Sequence, residues 1–184
     1  LQPWQKFRIG SVFGWKKKDG TRRFNTAYNC VARKNGKTTE AAGVGLFLFT
    51  MDGEPGAEVY CAATKKDQAR ICWTEAHWMA GHTMAARALK QRVRRYVARL
   101  DVPETGAKME PLGADEDSMD GLNMHGGIFD ELHAWKSRDI FGVLTTAGGA
   151  RRQPLTWMIT TAGNSRNSIG FEQHSYAVQV VTGT

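Results

Sequence analysis

The stretch Val31-Ala32-Arg33-Lys34-Asn35-Gly36-Lys37-Thr38 constrains this chain more than any other. Residues 24–31 alternate in polarity as a strand does. Residues 36–50 carry Val44, Leu46, Phe47, Leu48 and Phe49, as a buried helix does. A strand that passes through Gly-Lys-Thr directly into a helix predicts a phosphate cradle, because loop N–H groups and the positive helix end both face the anion. In such a cradle Lys37 would neutralise the outer phosphates, and the hard oxygen of Thr38 would bind Mg²⁺. The common pattern, G-x-x-x-x-G-K-[ST], has glycine where this chain has Val31. Taken alone, the loop therefore competes with a simpler reading: a helix start that carries glycine and lysine.

The rest of the chain continues the strand–helix alternation. Residues 57–63 read as a strand, and Thr64 is expected to cap a helix running to about residue 80. Residues 93–100 and 107–112 read as two short strands joined by a turn near Pro103 and Gly106. Residues 126–130 form a short apolar strand ending in an acid, 137–146 a helix, 155–161 a buried strand and 168–180 a last helix. Residues 16–23 look like a basic hairpin with Asp19-Gly20 at its tip. This order predicts an α/β fold with a central, mostly parallel sheet flanked by helices, and ligands at the strand C-termini.

The second chemical feature is Ile128-Phe129-Asp130-Glu131. An apolar strand that delivers two adjacent carboxylates reads as a Walker B element. Asp130 would hold Mg²⁺ through water, and Glu131 would polarise the attacking water as general base. Two acids at a helix start would also favour the helix dipole, but that reading weakens with a phosphate loop upstream. Together the two elements predict ATP hydrolysis. His125 and His133 flank the strand at a spacing that fits no standard metal set, so hydrogen-bonded or solvated histidines are expected.

Bulk properties set limits. The 184 residues suit one domain with a sizeable core, and the net charge of +7 is compatible with a polyanionic partner. No apolar run approaches the roughly 20 residues of a membrane span. The first residues show no secretion signal, and the missing initiator Met suggests a longer parent chain. The cysteines, Cys30, Cys61 and Cys72, show no C-x-x-C spacing and suit a reducing cytoplasm; Cys30 and Cys61 are expected to be core residues.

Several segments in order resemble the large terminase subunit of tailed bacteriophages, of the HK97-like type. Leu1-Gln2-Pro3-Trp4-Gln5-Lys6-Phe7 is similar to the family's adenine-binding segment, followed by Phe13-Gly14-Trp15 and Arg22-Arg23-Phe24. The loop from Val31 to Thr38 resembles the terminase form of Walker A, which tolerates a missing first glycine and carries an arginine. Asp120-Gly121-Leu122-Asn123 and residues 126–135 resemble its Walker B region, and Thr160-Thr161-Ala162-Gly163-Asn164 its coupling motif.

The resemblance implies a P-loop NTPase of the ASCE, RecA-like class, with the coupling strand between the Walker A and Walker B strands. It implies a motor that uses ATP and Mg²⁺ to drive double-stranded viral DNA into a procapsid in the host cytoplasm. The expected partners are the portal protein, the small terminase subunit and further copies in a ring, with the lone chain monomeric. The implied nucleotide-binding residues are Pro3, Trp4, Gln5, Ala32, Arg33, Lys34, Asn35, Gly36, Lys37, Thr38 and Thr39. Gln5 would read adenine, and Arg33 would reach the γ-phosphate beside Lys37. Thr160, Thr161 and Asn164 would sense that phosphate and relay hydrolysis to movement.

The family's nuclease domain is not visible in these 184 residues, which are read as a single ATPase domain that does not cut DNA. Asp115, Glu116, Asp117 and Asp120 cluster before the Walker B strand and look like a loop. DNA contact is expected at phosphates, through residues 16–23 and 90–95. Arg87, Arg92, Arg94, Arg95 and Arg138 are candidates for an arginine supplied to a neighbouring subunit. Two alternatives remain: a superfamily-2 helicase fragment, suggested by Asp130-Glu131-Leu132-His133, and a non-hydrolysing DNA-binding module on a degenerate P-loop.

Overall fold

A computed structural model of the chain describes residues 1–82, 93–113, 121–135, 138–163 and 165–184, the side chains of 138–140 excepted. The elements in order are α1 (Pro3–Gly14), β1 (Thr26–Cys30), α2 (Lys37–Thr50), β2 (Glu58–Ala63), α3 (Lys66–His82), β3 (Arg94–Arg95), β4 (Leu100–Val102), β5 (Ala107–Gly113), β6 (Met124–Phe129), a 3₁₀ turn (Leu132–Ala134), α4 (Arg138–Thr146), β7 (Leu155–Thr160) and α5 (Ile169–Thr182). Among the described residues no helix is long and apolar enough to cross a membrane.

The seven strands form one sheet in the order β1-β7-β6-β2-β5-β4-β3. The pairs from β1 to β5 are parallel, and β4 and β3 add antiparallel strands at one edge. The coupling strand β7 thus lies between β1, which feeds the phosphate loop, and β6, which feeds Asp130-Glu131. The central strands are apolar on both faces because both faces are covered. Val59 and Cys61 of β2, with Trp157 and Ile159 of β7, join the core under α1, α2 and α3. Tyr60, Ala62 and Met158 point the other way and pack with Phe129, Leu132, Trp135 and Leu144 on the α4 and α5 side. The fold is therefore three layers, helix–sheet–helix.

Several expectations need correction. Residues 93–100 are not one strand: the Tyr96 N–H donates to the Arg99 carbonyl (2.8 Å), and this tight turn joins β3 to β4. Thr64 is one residue too early to cap α3, because the Gln68 and Ala69 amides close onto the Lys65 carbonyl. Cys30 is exposed, not part of the core, because the chain leaves the sheet there; Cys61 is fully buried as expected. Residues 3–14, read for their resemblance alone, form a helix. The basic hairpin is a turn closed by one bridge, Lys16 to Arg22. The acidic cluster at 115–120, together with Arg87, Arg92, the 90–92 stretch and Asn164, lies outside the described residues, as does the Arg138 side chain.

Candidate active site

The site forms where β1, β6 and β7 end. β1 stops at Cys30, and the Val31 N–H still pairs with the Thr160 carbonyl (3.0 Å). The chain then turns through a loop held by the Asn35 side-chain amide, which donates to the Ala32 and Arg33 carbonyls at 3.2 Å each. Lys34 and Gly36 have left-handed backbone, with φ of 64° and 69°. Glycine adopts that conformation freely, whereas for Lys34 it costs about 1–2 kcal/mol. The turn ends at Gly36, whose carbonyl accepts the Glu40 N–H (3.0 Å) and opens α2.

Lys37 is the first residue of α2 and only 8% exposed. Its Nζ lies 3.8 Å from Oε1 of Glu131. Two segments far apart in sequence thus bring a buried cation to an acid across β7. Glu131 has φ of 49°, a second non-glycine left-handed residue, set between β6 and the 3₁₀ turn. Strained backbone of this kind clusters at functional sites, where the surrounding packing enforces it. Here the enforcement comes from both sides. The Asp130 N–H donates to the Ala62 carbonyl (2.9 Å), and the Trp135 indole N–H donates to the Asp130 carbonyl (3.0 Å).

Asp130 is 5% exposed. One of its oxygens accepts the Glu131 N–H at 2.8 Å. Burial pushes its carboxyl above the ordinary value; the Glu131 N–H, Lys37 and His133 pull the other way, and the Glu131 charge adds to the rise. Among the described residues no lysine or arginine pairs with it. A buried carboxylate in that condition suits a divalent cation, which would supply the charge it lacks. Thr38, half-buried one residue beyond Lys37, offers the second oxygen.

Beside the loop lies a cavity of about 890 Å³ between α1 and α2. Trp4, Gln5, Lys34, Asn35, Gly36 and Thr39 contribute to its walls. Gln5 is buried, and its Oε1 accepts the Gln2 N–H (2.8 Å); a Cβ on Gly36 would come 3.8 Å from its Nε2. Pro3 starts α1 rather than forming a wall, the helical position that proline suits. Ala32 and Arg33 are not buried, and among the described residues no carboxylate pairs with Arg33. Thr160 and Thr161 are buried at the end of β7, while Ala162 and Gly163 are exposed.

Sequence reasoning missed two contributors. Arg8 of α1 binds both oxygens of Glu40 (2.6 and 2.5 Å), stacks 4.5 Å from the Trp4 ring and so clamps α1 onto α2 beside the cavity. The available signal was Glu40 itself, the one acid in α2 and the last charge before a long apolar run. The second is His133, whose Nδ1 lies 3.1 Å from Glu131 Oε2 and 3.1 Å from Thr160 Oγ1.

Comparisons with known proteins agree with this fold. The chain resembles the HK97 bacteriophage large terminase in its crystal structure, with 26% identity and a TM-score of 0.82 over 98% of this chain and 37% of that one. It shares its fold with the ATPase domain of the Thermus phage P74-26 large terminase (19% identity, TM-score 0.58, 87% of this chain and 70% of that one). The large terminase of a thermophilic bacteriophage, solved in complex with ADP, has the same fold (18% identity, TM-score 0.52, 84% and 38%). Protein YmfN of Escherichia coli strain K12 is 32% identical over 65 residues, which are 35% of this chain and 14% of that protein. The family described as terminase large subunit, ATPase domain, matches residues 3–179, and this chain belongs to it.

Proposed function

We propose that this chain hydrolyses ATP to drive double-stranded viral DNA into a procapsid. The observation that carries the reading is the approach of Lys37 to Glu131 across β7, in a chain of the terminase ATPase family. The triphosphate lies along the loop from Ala32 to Thr39, with the adenine in the cavity beside Trp4 and Gln5. Lys37 compensates the negative charge that develops on the γ-phosphoryl group, and Arg33 assists from the loop. Thr38 and Asp130 would hold magnesium, Asp130 through water; when bound, that ion supplies further positive charge at the phosphates.

Glu131 takes a proton from water as the water oxygen bonds to the γ-phosphorus. The bond to the bridging oxygen breaks, and ADP leaves with that electron pair. Thr160, Thr161 and Gly163, at and just beyond the end of β7, would sense loss of the γ-phosphate and pass hydrolysis to the sheet. DNA is held by phosphate contacts alone, since a packaging motor cannot depend on sequence. Lys16, Lys17, Lys18 and Arg23 lie at the opposite end of the sheet from the loop, and Arg94 and Arg95 are exposed at its edge. The portal protein, the small subunit and neighbouring copies complete the machine in the host cytoplasm.

The test is turnover by Glu131→Gln beside the parent. Loss of the base is expected to lower ATP hydrolysis by about 10²–10⁴-fold while nucleotide still binds. Full turnover by the variant would remove Glu131 from the role. If a neighbour supplies an arginine, a strictly monomeric preparation hydrolyses ATP slowly; full monomer activity would sink that part.

A further inference from the structure

We propose that His133 is the positioning residue for Glu131, and that it makes one hydrogen-bonded unit of the general base and the end of the coupling strand. The inference rests on the general-base reading of Glu131 and goes beyond it. In the structure the two oxygens of Glu131 have different partners. Oε1 faces Lys37 Nζ at 3.8 Å, and Oε2 faces His133 Nδ1 at 3.1 Å. Lys37 is the group that an arriving phosphate draws away. The contact with His133 is then what keeps the carboxylate from swinging.

The proton assignment follows from counting donors. Thr160 Oγ1 accepts the His133 backbone N–H (3.1 Å) and donates its own proton to the Thr161 carbonyl (3.0 Å). Ionised Glu131 has only acceptors. The ring nitrogen between them, 3.1 Å from each, therefore carries the hydrogen and shares it between the carboxylate and the hydroxyl. His133 thus reads Thr160 through two atoms, its backbone N–H and its ring.

The backbone at His133 has little room to drift. A Cβ on Gly163 would come within 2.7 Å of the His133 Cβ, and one on Gly170 within 2.7 Å of its Cα. The coupling segment and the first turn of α5 therefore grip the residue from two sides. A shift of Thr160 or Gly163 moves His133, and with it the orientation of Glu131. Small misplacements of a catalytic group cost large factors in rate.

The experiment is steady-state ATP hydrolysis by the full-length protein bearing this domain, comparing His133→Ala, His133→Asn, Thr160→Val and the double variant H133A/T160V. Alanine keeps the Cβ that Gly163 faces and the backbone that Gly170 faces, and asparagine places an amide N–H near the position of Nδ1. His133→Ala is expected to lower kcat at least about tenfold with KM for ATP within about twofold of the parent. Asparagine is expected to restore most of that loss. The double variant is expected to be within about twofold of H133A alone, since one unit is lost once. Parental kcat in His133→Ala, a loss confined to KM, or an asparagine variant as slow as alanine would each overturn the proposal. Glu131→Gln in the same assay separates the two readings. An inactive E131Q beside a fully active H133A removes His133 alone, whereas an active E131Q removes the base and His133 with it.

Discussion

Asp52 and Asp130 lie one near each end of the sheet; the Asp52 side chain is 5% exposed, Asp130 is 5% exposed as a residue, and their protonation is pushed in opposite directions. Burial alone would raise both. At Asp52 burial is outweighed: the His125 Nε2 contact (2.7 Å) and the Arg22 guanidinium (2.5 Å to each oxygen) hold the carboxyl below its ordinary value. At Asp130 burial wins, because its nearest donor is a backbone N–H and Lys37 is turned to Glu131. At the first end the carboxylate charge is compensated, although Arg22 Nε and His125 Nδ1 are buried without hydrogen-bond partners among the described residues. Arg22 also binds the Gln153 carbonyl and lies over the Phe13 ring, so the basic turn, the end of α2, the start of β6 and the approach to β7 meet in one cluster. The second end has charge to spare. On the proposed function, the end that would receive nucleotide and magnesium stays under-compensated while the other end is tied closed.

The largest expected effect comes from opening the charge-compensated end. Asp52→Ala leaves Arg22 and His125 buried without their acid, and we expect a loss of about 3–5 kcal/mol, read from chemical denaturation. A loss under about 1 kcal/mol would mean that the cluster is not what closes that end. The same group sets a pH signature. Its folded pKa lies below the ordinary 3.8, so its stabilising contribution is present above 3.8 and is lost as pH falls through the lowered value. Acid unfolding of the parent should steepen below 3.8, and Asp52→Asn should flatten that limb; identical acid limbs would contradict the assignment.

The opposite sign is expected at Asp130. Its folded pKa is raised, so the folded chain holds a proton that the unfolded chain has released, and stability declines as pH rises from 3.8 through the raised value. Above that window the charge is a standing cost. Asp130→Asn should therefore raise the melting temperature of the nucleotide-free domain at neutral pH while removing magnesium-dependent turnover. A variant that melts lower than the parent would show that Asp130 is stabilising, and the contrast between the two ends would fail.

How far the sequence discloses these two ends differs for a physical reason. The functional end is assembled from contiguous motifs. The strand, loop and helix around Lys37, the β6 strand before Asp130 and the β7 strand ending at Thr160 are all legible from hydrophobic pattern and turn residues, with strand ends off by one or two residues: β1 spans Thr26–Cys30 rather than 24–31, and β6 Met124–Phe129 rather than 126–130. The closed end is assembled from single residues, with Arg22 and Asp52 30 positions apart and Asp52 and His125 73, and no local pattern marks such pairs. Helix α1 was equally illegible. It fully buries only Gln5, has no acid in its first turn, and is held by the tertiary pair Arg8–Glu40 together with the short, half-buried stripe Ile9, Val12 and Phe13. β3 is two exposed arginines whose pairing with β4 depends on a turn, not on alternation. His133 lies just beyond Glu131, but its link to Thr160 spans 27 positions and exists only because β7 inserts beside β6.

A second arginine–aspartate pair sharpens the contrast with the smallest expected effect. Arg99 and Asp101 also share both carboxylate oxygens, through a two-nitrogen fork where Arg22 uses Nη1 alone: Arg99 Nε meets one oxygen, and its terminal nitrogen reaches the other at 3.0 Å. The Arg99 side chain is 50% exposed, against 1% for Arg22. In water the ions keep most of their hydration when the pair breaks, and Glu110 at 3.8 Å offers Arg99 a second, equally wet partner. Arg99→Ala is therefore expected to cost no more than about 1 kcal/mol, and less at high salt. If denaturation shows Arg99→Ala as damaging as Asp52→Ala, pairing geometry rather than burial governs both sites, and the two ends of the sheet differ for some other reason.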